Sequence, residues 1–319
     1  MSAHPVLVEA VREGIVESVH RGSIVTLGSD APLALGDVDG AVFPRSSLKP
    51  LQAVAMLENG FIGRGSSLAI AVASHDGEPM HLAAARTSLG EAGLEESALQ
   101  CPPALPAVED ALLAWVGSGG RAAAICHNCS GKHAAMLGTC VASGWPTESY
   151  LDGAHPLQLA IRDSIETLAR VPITATVVDG CGAPAHAITL RGLAEAFAAL
   201  ATATSGPAAM VAAAMRRYPL LVGGSSNTAS LAMESVPGLI CKNGAEGVWA
   251  AALPDGRAFA AKVDDGASRA LPAILGAVVR HWGVGDHAWA RVDVLGGGHV
   301  VGALRLSEVF ESALVSTSS

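Results

Sequence analysis

The order of hydrophobic periodicities along the chain is the feature that most limits its fold. Residues 6–43 alternate apolar and polar side chains around glycine turns, which predicts two or three antiparallel strands. A second alternating stretch, Ala258 to Val263, predicts a strand near the other end. Helical or strand-like patterns fill the remainder: helices over 48–58, 81–90, 133–142, 156–169, 194–201, 207–217 and 268–282, and a strand over 172–178. Strands on both sides of a helical region predict an α/β fold of the α+β type.

The chain is long enough to bury a sizeable core, because half of its 319 residues are hydrophobic. No repeat or low-complexity linker divides it, and we predict a single domain over 1–319. A stretch rich in proline and glycine, Leu99 to Gly120, is predicted to be a long surface connection.

Charge and hydropathy exclude two classes of partner. The net charge is −9, the 20 basic residues are scattered and only 4% of residues are aromatic, so we expect no nucleic-acid partner. The start of the chain lacks the pattern of a secretory signal. The longest apolar stretch, Leu190 to Ala214, is interrupted by Arg191 and Glu195, so we expect no membrane span and a cytoplasmic location.

A serine and a lysine three residues apart, Ser46 and Lys49, form the first candidate constellation. At a helix N-terminus this spacing puts both side chains on one face, where a lysine kept neutral by burial can take the serine proton. The alternative is structural: Ser46 caps the helix and Lys49 is solvated.

Cysteines form the second constellation. Cys126 and Cys129 have the C-x-x-C spacing that suits zinc or redox chemistry, and Cys181 lies among glycines further along the chain. No second C-x-x-C pair exists, so a four-cysteine zinc site is not supported. The alternative is that these cysteines are small buried hydrophobic residues, as cysteines usually are.

A third candidate pair is more distant in sequence. Lys262 ends the predicted strand at a glycine turn, and Ser74 lies in the run Ser74-His75-Asp76. That run does not predict a catalytic triad, because consecutive residues on a strand point in opposite directions. Alone, Lys262 is more typical of a solvated charge at a strand edge.

Taken together and in this order, the segments resemble the L-asparaginase II family typified by the inducible rhizobial enzyme. The resemblance covers nearly the whole chain, up to about residue 266. The matching segments are His4-Pro5-Val6, Glu13-Gly14-Ile15-Val16-Glu17-Ser18, Phe43-Pro44-Arg45-Ser46, Leu48-Lys49, Ser74-His75-Asp76-Gly77-Glu78, His127-Asn128, Cys129-Ser130-Gly131-Lys132-His133, His155-Pro156-Leu157-Gln158, Asp179-Gly180-Cys181-Gly182-Ala183-Pro184, Gly244-Ala245-Glu246-Gly247, Lys262 and Asp265-Gly266.

The resemblance implies a fold like that of serine β-lactamases and class A glutaminases, with an antiparallel sheet, flanking helices and a helical region. It also implies a homodimer that hydrolyses L-asparagine to L-aspartate and ammonia. The site residues that it implies are two Ser–Lys tandems (Ser46 with Lys49 and Ser74 with Lys262), zinc ligands (Cys129, Lys132 and Cys181) and substrate-binding residues (Arg45, Asp179 and Cys241).

On this basis we expect Ser46 to attack the side-chain amide carbon and an acyl-enzyme to be hydrolysed by water. Two other hypotheses compete with the asparaginase hypothesis. One is a serine hydrolase that acts on another small amide, such as glutamine or a β-lactam. The other is a non-catalytic homologue that binds zinc or senses redox state.

Overall fold

An antiparallel sheet organises this protein, and we describe it from a computed structural model that covers residues 4–28 and 32–316. The strands of this part of the chain are β1 (Val6–Arg12), β2 (Ile15–Leu27), β3 (Ala34–Leu35), β4 (Ala41–Val42), β5 (Ala175–Val178), β6 (Pro184–Thr189), β7 (Ile240–Gly244), β8 (Val248–Ala252), β9 (Ala258–Val263), β10 (Asp293–Gly296) and β11 (His299–Leu306).

Most of the helices lie between β4 and β7 in sequence. Within the described ranges they are α1 (Lys49–Glu58), α2 (Ser66–Ala71), α3 (Pro79–Glu91), α4 (Glu109–Gly117), α5 (Ser130–Ser143), α6 (Pro156–Ala169), α7 (Leu190–Thr202), α8 (Gly206–Arg217), α9 (Pro219–Val222), α10 (Thr228–Ser235), α11 (Leu271–His281) and α12 (Glu308–Ser316).

The two ends of the chain meet in the main sheet, whose order is β10-β11-β1-β2-β9-β8-β7, with β3 paired to β2. All of these neighbours are antiparallel, and β1 lies between β2 and β11 with Val8 opposite Leu306. A smaller sheet has the order β4-β6-β5. The central strands therefore come from distant parts of the sequence.

Both faces of the sheet are covered at β8 and β9. Every side chain of β8 is buried, although successive side chains of a strand point to opposite faces. Helix α7 packs against β2, β8 and β9, and α11 packs against β1, β9 and β11. Alanines occupy much of β8 and β9, and their small side chains allow the helices to approach the strands closely.

The predicted fold class, an antiparallel sheet with flanking helices and a helical region, is confirmed. The strand over Ala258–Val263 and the helix over Pro156–Ala169 have the predicted bounds. In the predicted β region 6–43, residues 29–31 lie outside the described residues, and β4 belongs to the smaller sheet. The surface connection predicted over 99–120 is partly wrong, because it contains α4, whose exposed apolar residues obscure the helical period.

The lengths and compositions of the helices bear on whether the chain could cross a membrane. Among the described residues, none of the individual helices is long and apolar enough to span a membrane. Helices α7 and α8 meet the criterion of length and composition only as a pair, which is bent by 87° at the break between them.

A glycine sets the distance between helices α2 and α5. Gly131 is the second residue of α5, and a β-carbon there would overlap the backbone carbonyl of Ile70 in α2. Gly138 lies two turns further along α5, and a β-carbon there would make ordinary contacts of 3.5 Å with Phe61.

We therefore expect Gly131→Ala to lower the free energy of unfolding by about 1–3 kcal/mol through overpacking. Gly138→Ala is the matched control on the same helix, and we expect it to be neutral or to stabilise by up to about 1 kcal/mol, because alanine favours helix. Urea titrations followed by circular dichroism measure both changes. Equal effects of the two substitutions would contradict the packing argument.

Candidate active site

Ser74 lies between two lysine side chains. Lys49 Nζ is 3.0 Å from Ser74 Oγ, and Lys242 Nζ is 2.9 Å from the same oxygen. Lys49 is 2% exposed and Lys242 is 0% exposed, whereas Ser74 is half-buried. A hydroxyl held between two buried amines that is still partly accessible is suited to proton transfer and nucleophilic attack.

Helix α1 delivers the first lysine. A 3₁₀ turn over Arg45–Leu48 leads into the helix, and Lys49 is the first helical residue, followed by Pro50 at a position where proline is favoured. Lys49 Nζ also donates to the carbonyl of Ala73. Its amine is therefore directed at the Ala73-Ser74 segment.

The predicted tandem of Ser46 with Lys49 is not formed as a hydrogen bond. The Lys49 backbone N–H donates to the Ser46 carbonyl, but the Lys49 amine reaches Ser74 instead. Among the described residues, Ser46 Oγ makes no hydrogen bond, and the Ser46 side chain is half-buried. Arg45, immediately before it, has φ +52°, a left-handed conformation that is uncommon outside glycine.

The second lysine beside Ser74 is Lys242, which the sequence analysis did not select. It lies on β7, and its Nζ is 2.9 Å from the Asn243 carbonyl and 3.2 Å from Asn243 Oδ1. Burial lowers the pKa of Lys242 well below its usual value, and the positive charge of Lys49 lowers it further. Lys242 is therefore the amine best suited to remain neutral near pH 7.

The predicted partner of Ser74, Lys262, does not reach it. Lys262 lies on β9, and its Nζ donates to the Val263 carbonyl. It lines a surface cavity of about 320 Å³ with Phe43, Arg45 and Glu246. Lys262 is opposite Val248 at the first residue of β8, while Lys242 is opposite Ala250 in the middle of that strand. The register therefore sets the two lysines at different positions along the sheet.

The segment that carries Ser74 runs as an extended chain. The backbone N–H groups of Ser74 and Asp76 both donate to the 222–223 segment, at 2.9 and 3.0 Å, whereas that of His75 donates to Asn128, at 3.1 Å. The His75 side chain lies opposite, with Nε2 2.8 Å from Ser130 Oγ. As in a strand, Ser74 and Asp76 therefore share one face and His75 occupies the other.

The three residues predicted to bind zinc come together. Lys132 Nζ is 3.1 Å from Cys181 Sγ, and the Cys181 thiol is hydrogen-bonded to Cys129. That hydrogen bond lowers the pKa of Cys129 well below its ordinary range and raises the pKa of Cys181. Burial lowers the pKa of Lys132, but the adjacent Cys181 and Cys129 outweigh it and hold the pKa above its usual value.

This thiol–lysine cluster (Cys129, Lys132 and Cys181) adjoins the Ser74 site. Lys49 lies close enough to Cys129 to help lower the pKa of that thiol. The charge of Cys129 in turn opposes part of the lowering of the Lys242 pKa. The hydrogen bond from the His75 backbone to Asn128 joins the two segments directly. The site thus combines three buried amines, one hydroxyl and two thiols.

Two of the predicted substrate-binding residues, Arg45 and Asp179, form an ion pair. Arg45 Nε donates to Asp179 Oδ1 at 2.7 Å, and the two side chains remain partly exposed. Arg45 belongs to the turn that leads to Lys49, and Asp179 precedes Cys181 by two residues. The ion pair therefore links the serine–lysine part of the site to the thiols.

The third predicted substrate-binding residue, Cys241, lies elsewhere. It is fully buried and adjacent to Lys242 on β7, so its side chain points to the opposite face of the strand. Burial raises the pKa of Cys241 to about 12. Burial raises the pKa of Cys126, and the charged groups that act on it are Glu96 and Arg86 rather than members of the thiol–lysine cluster.

One property of the sequence could have drawn attention to Lys242. The chain has only four lysines, Lys49, Lys132, Lys242 and Lys262, against 16 arginines. Three of the four are buried, and a buried lysine is rare unless it has a partner. Lys242 also follows the apolar run Leu239-Ile240-Cys241, which is unusual for a solvated charge.

Because there are only four lysines, lysine labelled with ¹³C at Cε gives four NMR signals. We expect the signal that Lys242→Met removes to titrate far below pH 10.5, since burial favours the neutral amine. The Lys262 signal, assigned with Lys262→Met, should shift in the same direction but less, because Lys262 is only partly buried. A Lys242 signal that titrates at about pH 10.5 would contradict the inferred neutral amine.

The chain shows partial likeness to solved structures entitled Mglu. Identity is 15% in each comparison. The native form in 4.3 M NaCl has a TM-score of 0.43 and covers 77% of this chain and 56% of that one. Another Mglu structure has a TM-score of 0.41, with coverage of 77% and 61%, and the glutamate form has 0.42, with 78% and 57%. The chain thus spans less than two thirds of the length of these structures.

Sequence comparison identifies the family. Among curated proteins, none matches the sequence significantly. The family model for L-asparaginase II matches residues 8–306, which is nearly the whole chain and includes all the residues of the site. This confirms the resemblance inferred from the sequence motifs. The chain therefore belongs to the L-asparaginase II family.

Proposed function

We propose that this protein is an amidohydrolase that cleaves the side-chain amide of L-asparagine to L-aspartate and ammonia. The observation that carries the proposal is the Ser74 hydroxyl held between the buried amines of Lys49 and Lys242. Family membership supports an asparaginase-like amidohydrolase as the reaction class.

The contacts of Lys242 suit a neutral base. A neutral amine has two N–H groups and one lone pair, and Lys242 Nζ has three oxygen neighbours. The two oxygens of Asn243 can only accept, so they take the N–H groups. The lone pair is then left for the Ser74 hydroxyl hydrogen, while Lys49 donates to the Ser74 oxygen.

The reaction then follows in balanced steps. Lys242 takes the proton of Ser74 as Ser74 Oγ attacks the amide carbon and forms a tetrahedral intermediate. The C–N bond breaks, the leaving nitrogen takes the proton from Lys242, and ammonia departs from a Ser74 ester. Water attacks the ester with Lys242 as base, and the proton returns to Ser74 as aspartate leaves. This mechanism replaces Ser46, the nucleophile expected from the sequence, by Ser74.

The Arg45–Asp179 ion pair gives the site a group that can orient the substrate. A guanidinium binds a carboxylate through two parallel hydrogen bonds, and Arg45 retains partial exposure beside the site. We propose that Arg45 binds the α-carboxylate of the substrate and that Asp179 holds the guanidinium in position.

The thiol–lysine cluster fits zinc by the chemistry of its donors. Within the described residues, no three side chains of Cys, His, Asp or Glu come together as a metal site, so Lys132 has to be the third donor. Two thiols and one amine equal the number of protein ligands in catalytic zinc sites. Lys132 would have to lose its proton to bind.

We propose that Cys129, Lys132 and Cys181 hold Zn²⁺. When bound, zinc supplies a Lewis acid that can anchor and polarise an oxygen of the substrate. Two thiolates largely neutralise the charge of the ion, which favours anchoring over the acidification of water. A homodimer, which the family resemblance implies, and a cytoplasmic location, which was expected from the sequence, are further proposals.

The function is tested by ammonia release from purified protein with L-asparagine and with L-glutamine. We expect release from asparagine, and a loss of at least about 10²-fold with Ser74→Ala and with Lys242→Met, because each removes a group that takes part in proton transfer. Lys262→Met should keep most of the activity, since Lys262 does not reach Ser74. If the folded, zinc-loaded protein released no ammonia from either amide, two hypotheses would remain: it acts on another amide, or it is a non-catalytic homologue.

Acid quenching during turnover identifies the nucleophile. Trypsin separates Ser46 from Ser74, because Arg64 lies between them. Mass spectrometry should find the acyl group on the peptide that carries Ser74. An acyl group on the Ser46 peptide alone would assign the attack to Ser46 and leave Ser74 as a proton relay between the two lysines.

Zinc binding is tested with two cysteines of one motif. We expect Cys129→Ser to reduce the zinc content of the purified protein strongly, since it removes one of three donors. Cys126→Ser is the matched control and should keep the zinc content, because neither Lys132 nor Cys181 acts on the Cys126 thiol. Elemental analysis after dialysis measures both. Loss of zinc in the Cys126 variant alone would place the metal elsewhere.

A further inference from the structure

We propose that Asp76 binds the α-ammonium group of the substrate and makes the enzyme selective for amides of α-amino acids. The inference rests on the proposed function, because it assumes that the amide carbon is attacked at Ser74. Asp76 belongs to the run Ser74-His75-Asp76, which is not a catalytic triad, and the mechanism above leaves it unused.

The position of Asp76 is set by the extended segment that carries Ser74. Side chains alternate along an extended segment, so Asp76 is on the same side as Ser74. Both groups are near Lys242, whose Nζ is 2.9 Å from Ser74 Oγ and whose charge acts on Asp76. Two residues along an extended chain advance about 7 Å. In asparagine two carbons join the amide carbon to the α-nitrogen, so a substrate attacked at Ser74 can reach Asp76 with its ammonium group.

The Asp76 carboxylate is available for a ligand. Within the described ranges it makes no side-chain hydrogen bond, although it is half-buried. The neighbouring carboxylate, Glu78, is already used, because its Oε1 accepts from the backbone and the hydroxyl of Ser225. Asp76 is thus the unpartnered acceptor next to Ser74.

Gly224 leaves room for the Asp76 carboxylate. A β-carbon on Gly224 would overlap Asp76 Oδ2, so a side chain at residue 224 would displace the carboxylate. Burial and the charge of Glu78 raise the pKa of Asp76 to about 6, and Lys242 opposes them. A carboxylate destabilised by burial and by a like charge gains from a bound cation, and an ammonium group is a cation that can also donate hydrogen bonds.

The test compares L-asparagine with succinamate, which has the same chain, carboxylate and amide but no α-ammonium group. We expect Asp76→Asn to lower kcat/KM for asparagine by roughly 10- to 100-fold, mainly through KM, because the acceptor of the ammonium group loses its negative charge. The value for succinamate should not change. Asp76→Glu should restore part of the preference, and Glu58→Gln, at the far end of α1, controls for the loss of a negative charge.

Binding makes the test independent of turnover. Calorimetry with the Ser74→Ala protein compares L-asparagine and succinamate with and without Asp76→Asn, and thermal unfolding shows whether each variant is folded. Loss of the preference for asparagine supports the inference even if no amide is cleaved. An unchanged preference, or an equal loss for both ligands, overturns it. Absence of ammonia release from every amide overturns only the proposed function.

Discussion

The burial of an amine beside a hydroxyl is the interaction on which the candidate site depends. An ammonium group removed from water costs several kcal/mol, and Lys242 has no exposed surface. The protein offsets this cost with three oxygen neighbours and by favouring the neutral form. The neutral amine of Lys242 requires both β7 and its neighbour β8 to be shielded from water. The chemistry of the site therefore depends on the coverage of the sheet.

One thiol of the second half lies near the amines of the first. Lys49 and Lys242 bring amines, while Cys129 lies near both and carries the lowered pKa of a thiolate. Asp179 and Arg45 connect the two halves, and Asp76 adds a carboxylate on the side of Ser74. An amino acid amide carries a carboxylate, an ammonium group and an amide, and this site presents a complementary group to each of them.

Lys242 and Lys262 show what hydrophobic patterns in the sequence can and cannot predict. Each lysine lies within or near the end of an apolar strand, so hydrophobic periodicity does not distinguish the two. Their roles separate only through the pairing of β7, β8 and β9, which directs Lys242 to Ser74 and leaves Lys262 with Glu246 and Arg45 at a surface cavity. The same holds for Ser46 and Ser74, since the spacing of Ser46 and Lys49 predicts one face but not which hydroxyl the lysine reaches.

The sequence by itself determined the helices with strong periodicity, the strand over Ala258–Val263, the α+β class and, through the order of its motifs, the family. It also predicted that Cys129, Lys132 and Cys181 act together. Only the tertiary structure decided that β1 pairs with β11, that two lysines meet at Ser74 and that Asp76 faces the same side as that serine. The physical reason is that periodicity records which side of an element is buried, whereas contacts between distant segments depend on register and packing.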